Sequence, residues 1–466
     1  MAITTTITST KISVSSTGGQ QVSMSDIVAH INDTSVMEEI EKVITIKRQI
    51  GQIYRKFEVA SESKVIYEEG YTINQEGITN SGSYYILDWQ DKSEITIEPD
   101  VIFDFNSDNQ DYGRAYIIIY GTILARGNLN HEIIFKHYRS LYNYPKRNQS
   151  WEHVKFMNFT YNGYALHVAG DSYSDIKPTV LYDYITVTND NGNYWGTLYL
   201  HQSATMPLDN VQFNNFKIEH IYYPLRSNQG SVKITNSSFL DCSRSITLAS
   251  TGLGEGIPYL VGGSEIHNNK TFQPISIFDT CVFDDIAYGY CLWGSYAGKI
   301  LLKNCTFKNT LYAVRSYLGC MIIFSGVNTF INITNKFYPA GNYFIAHHLD
   351  LNVIDEGGLK IEHASISIVQ QSINSKSWEV GLTNIDGQLV NVWNDLPFFI
   401  EKQETFIGVF DSWSDDESSN LYHKITVSKD GYITQNINVE FIENKTISIV
   451  LEKYREHIQI DQEGLA

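Results

Sequence analysis

Three carboxylates offer this sequence its most direct route to chemistry. Asp241, Asp279 and Asp284 lie in a repeating stretch of short apolar runs. Two such groups held roughly 5–10 Å apart would cleave a glycosidic bond, one protonating the leaving oxygen and the other activating water or attacking the sugar. Asp284 continues into Asp285 directly after Phe283, where a turn is due, so a turn is the plainer account of that dyad. His347-His348 sets two imidazoles side by side, but neighbours on a strand point to opposite faces and no second pair lies near. The acidic run at residues 411–420 lacks the glycine and terminal glutamate of a calcium loop and reads as a solvated loop. No catalytic residue, metal or cofactor is assigned on these signals. Aromatics are the stronger candidates. Trp195, Tyr222, Tyr223, Tyr288, Tyr290, Trp293 and Tyr312 recur in segments of similar build, and would form a lateral face that stacks on sugar rings or on a protein partner. The alternative is that half of them point inward as core.

What must position these residues is an internal repeat. The tetrapeptides HVKF (153–156), YITV (184–187), NVQF (210–213), NSSF (236–239), TCVF (280–283) and NCTF (304–307), then NTF (328–330), end on an apolar residue at 156, 187, 213, 239, 283, 307 and 330. The intervals are 31, 26, 26, 44, 24 and 23. Intervals near 25 suit one turn of a three-sided coil of short strands, each stacking on the last at roughly 4.8 Å. The longest interval holds one oversized loop at residues 250–271. Asn210, Asn236 and Asn304 precede the aromatic by three, which predicts an amide ladder at a turn. Cys281 and Cys305 precede it by two, where Ser237 stands in an earlier turn. They are expected to stack inside as small apolar residues, with a disulfide between them as the lesser reading.

Composition narrows the class. Only 18% of residues are charged, against 31 Tyr, 22 Phe and 7 Trp, which favours strands and polar turns. A net charge of −18 without a basic run argues against nucleic acid as a partner. Residues 1–19 lack the charged and apolar regions of a secretory signal, and no stretch approaches the ~20 apolar residues of a membrane span. Five cysteines without close spacing fit neither a disulfide framework nor a zinc site. Ile27, Val28, Ile31, Val36, Met37, Ile40 and Val43 suggest one short helix in an otherwise extended, Thr/Ser-rich beginning.

The stretch YIIIYGTILARGNLNHEIIFKH (116–137), broken at Gly121 and Gly127, resembles the opening turns of right-handed parallel β-helix proteins. Pectinase-type hydrolases of that fold carry four short motifs in successive turns, of which only Asp284-Asp285 has a counterpart here. Toward the C-terminus, Val353-x-Asp355, Ala364-x-Ile366-x-Ile368, Thr383-Asn384-x-Asp386-Gly387 and Lys429-Asp430-Gly431-Tyr432 resemble the prealbumin-like sandwich of carboxypeptidase-regulatory domains. The two resemblances imply an all-β chain: an attachment arm over residues 1–90, a β-helix over 91–341, an antiparallel β-sandwich over 342–455 and a polar tail over 456–466. Such a chain without a signal looks similar to virion surface projections, namely tail spikes and vertex or appendage proteins of phages and archaeal viruses. That likeness implies a non-enzymatic protein on the virion surface, made in the host cytoplasm. It would bind other virion proteins through its arm and a host glycan or protein outward, as a homo-oligomer such as a trimer. A polysaccharide depolymerase on the same scaffold and a cellular adhesin are the alternatives.

Overall fold

The computed structural model describes all residues except 1–2, 48–53, 76–83, 106–114, 159–162, 170–177, 190–194, 202–210, 229–232, 250–265, 268–269, 272–274, 287–288, 296–298, 318–319, 339–341, 371–376, 391–397, 402–403, 412–421, 441–444 and 455–466. The protein is nearly all-β, and its contacts divide it into two units, one ending at Asn342 and the other running mainly from Tyr343.

Short strands with alternating apolar residues cannot bury a face alone, and in the first unit they do so by coiling. Three strands make each turn, and each pairs in parallel with its equivalent one turn on. Lys11–Ser16, Tyr54–Val59, Tyr84–Trp89, Ala115–Ile119 and Ser140–Asn143 open the first face. Gln21–Ser23, Lys64–Tyr67, Glu94–Ile97 and Thr122–Arg126 open the second. Val43–Ile46, Thr72–Gln75, Ile102–Asp104 and Ile133–Lys136 open the third. This is a parallel β-helix with a small antiparallel sheet in the other unit, as expected.

Its start is not where the sequence placed it. Strands from Lys11 onward already pair into the coil, so residues 1–90 are not a separate arm. The cause of the misreading is the helix Met24–Ile31, inserted within the first turn between the second-face strand and the third. Ser23 and Asp26 cap it reciprocally, and Asn32 ends it in the left-handed conformation at φ 47°. Its buried Met24 and Ile27 break the strand period that marks later turns.

The interior is a set of side-chain columns. On the third face Ile44, Ile73, Phe103, Phe135, Phe156, Val187, Ile218, Phe239, Phe283, Phe307 and Phe330 stand in register. Phe103 and Phe135 stack at 4.4 Å, and Phe283 and Phe307 at 4.8 Å. Phe213 is the one misplaced member of the predicted column. It belongs to the second face, stacked 5.2 Å from Tyr182, and Ile218 takes the third-face place in that turn. Gly121 is required by close approach, since a Cβ there would lie 2.3 Å from Ser93 Oγ.

Each turn changes face at corners that need positive φ. His153, Tyr184, Asn215, Asn236, Thr280 and Asn304 sit between second and third faces at φ between 50° and 56°. Asn236 donates to Asn214 Oδ1, but Asn304 accepts from Val327 N–H, so the predicted amide ladder is really a column of left-handed corners. Asn210 lies outside the described residues. Asp284 and Asp285 lie within the strand Val282–Ile286 and not in a turn, although Asp285, exposed and at φ 54°, bends it in the left-handed conformation. Cys281 and Cys305 are buried free thiols, as are Cys242, Cys291 and Cys320. Ser237 is buried beside the same corner, accepting from Phe216 N–H.

In the second unit Asn342–Asp355 pairs antiparallel with Glu404–Asp411 and parallel with Lys445–Leu451. A five-stranded antiparallel sheet is built around Ser365–Gln370 and Tyr422–Ser428. Leu351, Val353, Ile366, Ile368, Ile425 and Ile449 share one core between these layers, giving the features of a β-sandwich.

Candidate functional site

Strict alternation would send residues three apart on a strand to opposite faces. On the first face of the coil it does not. In Tyr164–Ala169 both Ala165 and Leu166 are buried, and the pairing with Ser140–Asn143 shifts register there. This bulge turns Tyr164 and His167 outward together. A second shift, between Thr197 and Tyr199, does the same for Tyr223 and Arg226 around buried Pro224 and Leu225. Cys291 and Leu292 are fully buried between Tyr290 and Trp293, and Ala313 and Val314 between Tyr312 and Arg315. The tetrapeptides YALH, YPLR, YCLW and YAVR are therefore one device repeated: an aromatic, two core residues, then an imidazole, guanidinium or indole.

The outward groups meet. The His167 ring lies 4.9 Å from Tyr164, 4.9 Å from Tyr199, 5.3 Å from Tyr142 and 6.2 Å from Tyr144. Both its nitrogens are buried by these rings, so the imidazole is a pillar of the strip. Burial raises the phenol pKa of Tyr142 and Tyr144, keeping both neutral. The Arg226 guanidinium stands 5.9 Å from Tyr199 and 6.0 Å from Tyr223, and Arg139 5.8 Å from Tyr116. Arg244 covers Tyr222 at 5.3 Å and donates to its hydroxyl at 3.0 Å. Arg315 lies 4.5 Å from Tyr338, 5.2 Å from Trp293 and 5.4 Å from Tyr290, and donates to the Tyr290 hydroxyl at 3.2 Å. Each such cation–ring contact contributes about 0.5–1 kcal/mol where exposed.

Of the seven aromatics singled out from sequence, five are on this strip. Tyr222, Tyr223, Trp293 and Tyr312 are half-buried, and Tyr290 is 7% exposed, its ring serving the core as much as the surface. Tyr288 lies outside the described residues, as do residues 412–421, and the side chain of Trp195 is not described. The arginines and His167 escaped sequence reading. For His167, Arg226 and Arg315 the signal is a tyrosine three residues earlier, a spacing that strict alternation would send to the opposite face.

The three predicted carboxylates do not form a pair. Asp279 faces Lys303 at 3.6 Å, Asp284 faces Lys308 at 3.7 Å and accepts from Asn309, and Asp241 lies 3.3 Å from His220. Each is tied to a neighbouring turn or corner. His347 and His348 pair with Ile407 and Phe406 along one strand. No group of three or more acidic, Cys or His side chains suited to a metal occurs among the described residues.

The same outward column that carries Tyr142, His167, Tyr199 and Arg226 begins with Ser13, Glu58 and Asp88. Glu58 accepts from Lys11 at 2.7 Å, Ser13 at 2.9 Å and Lys56 at 3.0 Å. Lys56 also pairs with Asp88, which accepts from Gln90 at 2.7 Å. Burial alone would raise the Glu58 pKa, but the hydrogen bonds of Lys11, Lys56 and Ser13 hold it at about 2. Burial raises that of Asp88 against the pull of Lys56. For Lys56, burial lowers the pKa but the two carboxylates outweigh it, and the net shift is upward.

No protein-family model and no curated protein matches the sequence. Among solved structures the chain is similar to a double mutant of a periplasmic alginate epimerase, at a TM-score of 0.41 and 9% identity, over 70% of this chain and 85% of that one. The expectation of a non-enzymatic protein runs against this finding, since that protein is by its printed name an epimerase. What this chain does rests on its own side chains.

Proposed function

We propose that the protein is polysaccharide-active and that the first face of its coil is the track on which an extended glycan lies. The observation that carries this reading is the repeated tetrapeptide, which turns a ring and a second ring or cation outward together where a regular strand would hide one of them. Rings supply apolar area to sugar faces at low entropic cost, and guanidiniums supply fixed donor forks to hydroxyls or acidic groups. The turn-to-turn rise of roughly 4.8 Å is close to the length of one sugar unit, so neighbouring turns would meet successive sugars.

Affinity electrophoresis through gels containing capsular and envelope polysaccharides tests this. One polymer or more should retard the protein, and Tyr223→Ala or Arg226→Ala should weaken retardation about tenfold, roughly 1.4 kcal/mol, while the chain stays folded at the temperature of the gel. Absence of retardation by any polymer, or variants that bind as the native chain does, would overturn it. A virion surface, a host glycan as partner and a homo-oligomer remain the proposed setting. Light scattering that returned a monomer mass would remove the last. The likeness of the C-terminal unit to carboxypeptidase-regulatory modules makes it, in this reading, an accessory domain.

A further inference from the structure

We propose that Glu58 and Asp88 are a catalytic carboxylate pair that hydrolyses a glycosidic bond of the polymer held on the first face, Glu58 as nucleophile and Asp88 as general acid. This rests on the reading of that face as a glycan track and names the reaction carried out at its N-terminal turns.

Geometry comes first. Glu58 and Asp88 are direct register partners on adjacent turns, a separation of roughly 4.8 Å between strands. The Lys56 ammonium bonds Glu58 Oε2 and Asp88 Oδ2 at once, so those two oxygens are at most about 6 Å apart. Retaining glycosidases place their two carboxyls about 5–5.5 Å apart, and inverting ones about 6.5–9.5 Å, with a water between. The spacing here assigns the retaining course. Second, the two environments differ. Glu58 is gripped by three donors, whereas Asp88 is 4% exposed and its Oδ1 has no hydrogen-bond partner among the described residues. A buried acceptor without a donor costs about 1–3 kcal/mol if ionised, and carrying a proton there relieves it. The opposed pKa shifts, Glu58 down and Asp88 up, set the two carboxyls apart in the same sense. Third, the next turns of the same columns present Ile86, Tyr116 and Tyr142, with Arg139 over Tyr116, so the pair adjoins the ring strip.

The step balances as follows. The Glu58 carboxylate attacks the anomeric carbon and forms a glycosyl ester while the bond to the leaving oxygen breaks and Asp88 gives that oxygen its proton. Water then surrenders a proton to Asp88 and attacks the same carbon, and Glu58 leaves as carboxylate. One water is consumed and one new reducing end appears.

The test uses the full chain and the polysaccharide that retards it most. Native protein should shorten the polymer and release reducing ends. Glu58→Gln and Asp88→Asn should each lose on the order of 10³-fold in rate while still being retarded. Azide should restore turnover to Glu58→Ala as a glycosyl azide, a rescue that a role in folding alone would not give. Carbon-13 titration of the native carboxyls should show Asp88 gaining its proton at higher pH than Glu58, with Lys11 and Lys56 as the facing cations. A polymer that is bound but keeps its length overturns the catalytic pair and leaves the track standing. Failure of every polymer to bind removes both. Turnover that survives Glu58→Gln places the chemistry elsewhere and also overturns the pair.

Discussion

The first and third faces of the coil grow from the same repeat and treat alternation in opposite ways. On the third face the described turns keep register, alternate apolar side chains such as Ile133 and Phe135 or Val154 and Phe156 point in, and ion pairs such as Lys136–Asp104 at 3.0 Å decorate the outside. Among the described residues of the first face register slips at two places, and the residues so displaced are rings and guanidiniums. Regularity there would have buried half of them. The comparison teaches that the third face holds the coil together while the first is released to recognise something, because a stack secured along one side tolerates bulges on another.

The sharpest way to break the comparison is to remove the third face's column. Phe135→Ala, with Phe103 stacked on one side and Phe156 tilted against the other, should cost about 3–5 kcal/mol in urea unfolding, far more than any single first-face ring. A small loss would mean that the column is not what secures the stack. Next comes the charged start of the first face. Lys56→Met should destabilise by about 1–3 kcal/mol, because it takes one of two lysine partners from the Glu58 carboxylate, whose side chain is 13% exposed.

Acid should then separate the two carboxylates. The folded Glu58 pKa of about 2 lies below its ordinary 4.5, so the stability it contributes is complete above that ordinary value and is lost as pH falls from it toward 2. The contribution is up to about 3 kcal/mol before solvent screening reduces it. Asp88, raised by burial, works in the opposite sense and gains from protonation in acid. Melting curves between pH 6 and pH 2 should therefore flatten in Glu58→Gln and steepen in Asp88→Asn. The smallest effect belongs to the third face's exterior, where Lys308→Met, removing a pair at 3.7 Å, should shift stability by less than about 1 kcal/mol.

Much of this was legible in residue spacing. The third-face column announced itself because phenylalanine recurred at one place per turn, and only Phe213 was misassigned, since a three-residue strand, Lys217–Glu219, holds the true position. The first turns were not legible as part of the coil, although Tyr54–Val59 and the stretch from Lys64 alternate as strands do. Their strands are short and built from Ile and Val, and the capped helix interrupts them before a period can be seen. The ring strip was half legible. Tyrosines and tryptophans stood out, but arginines on a strand read as solvated charges until the bulges brought them onto rings. The Glu58 and Asp88 pair left no trace, because a parallel coil unites residues one whole turn apart and neither belongs to a local motif.

The five thiols give the coil an unequal chemical record of its own motion. All lie between residues 242 and 320, and none precedes them. Each is buried away from reagents, and burial lifts the Cys242 thiol to about 12 and raises those of Cys281 and Cys291, so these three are poor nucleophiles in the closed coil. An alkylating reagent at neutral pH can mark them only when their turns part. The later turns therefore carry a clock of their own breathing, while the turns around Glu58 and Asp88 open unrecorded.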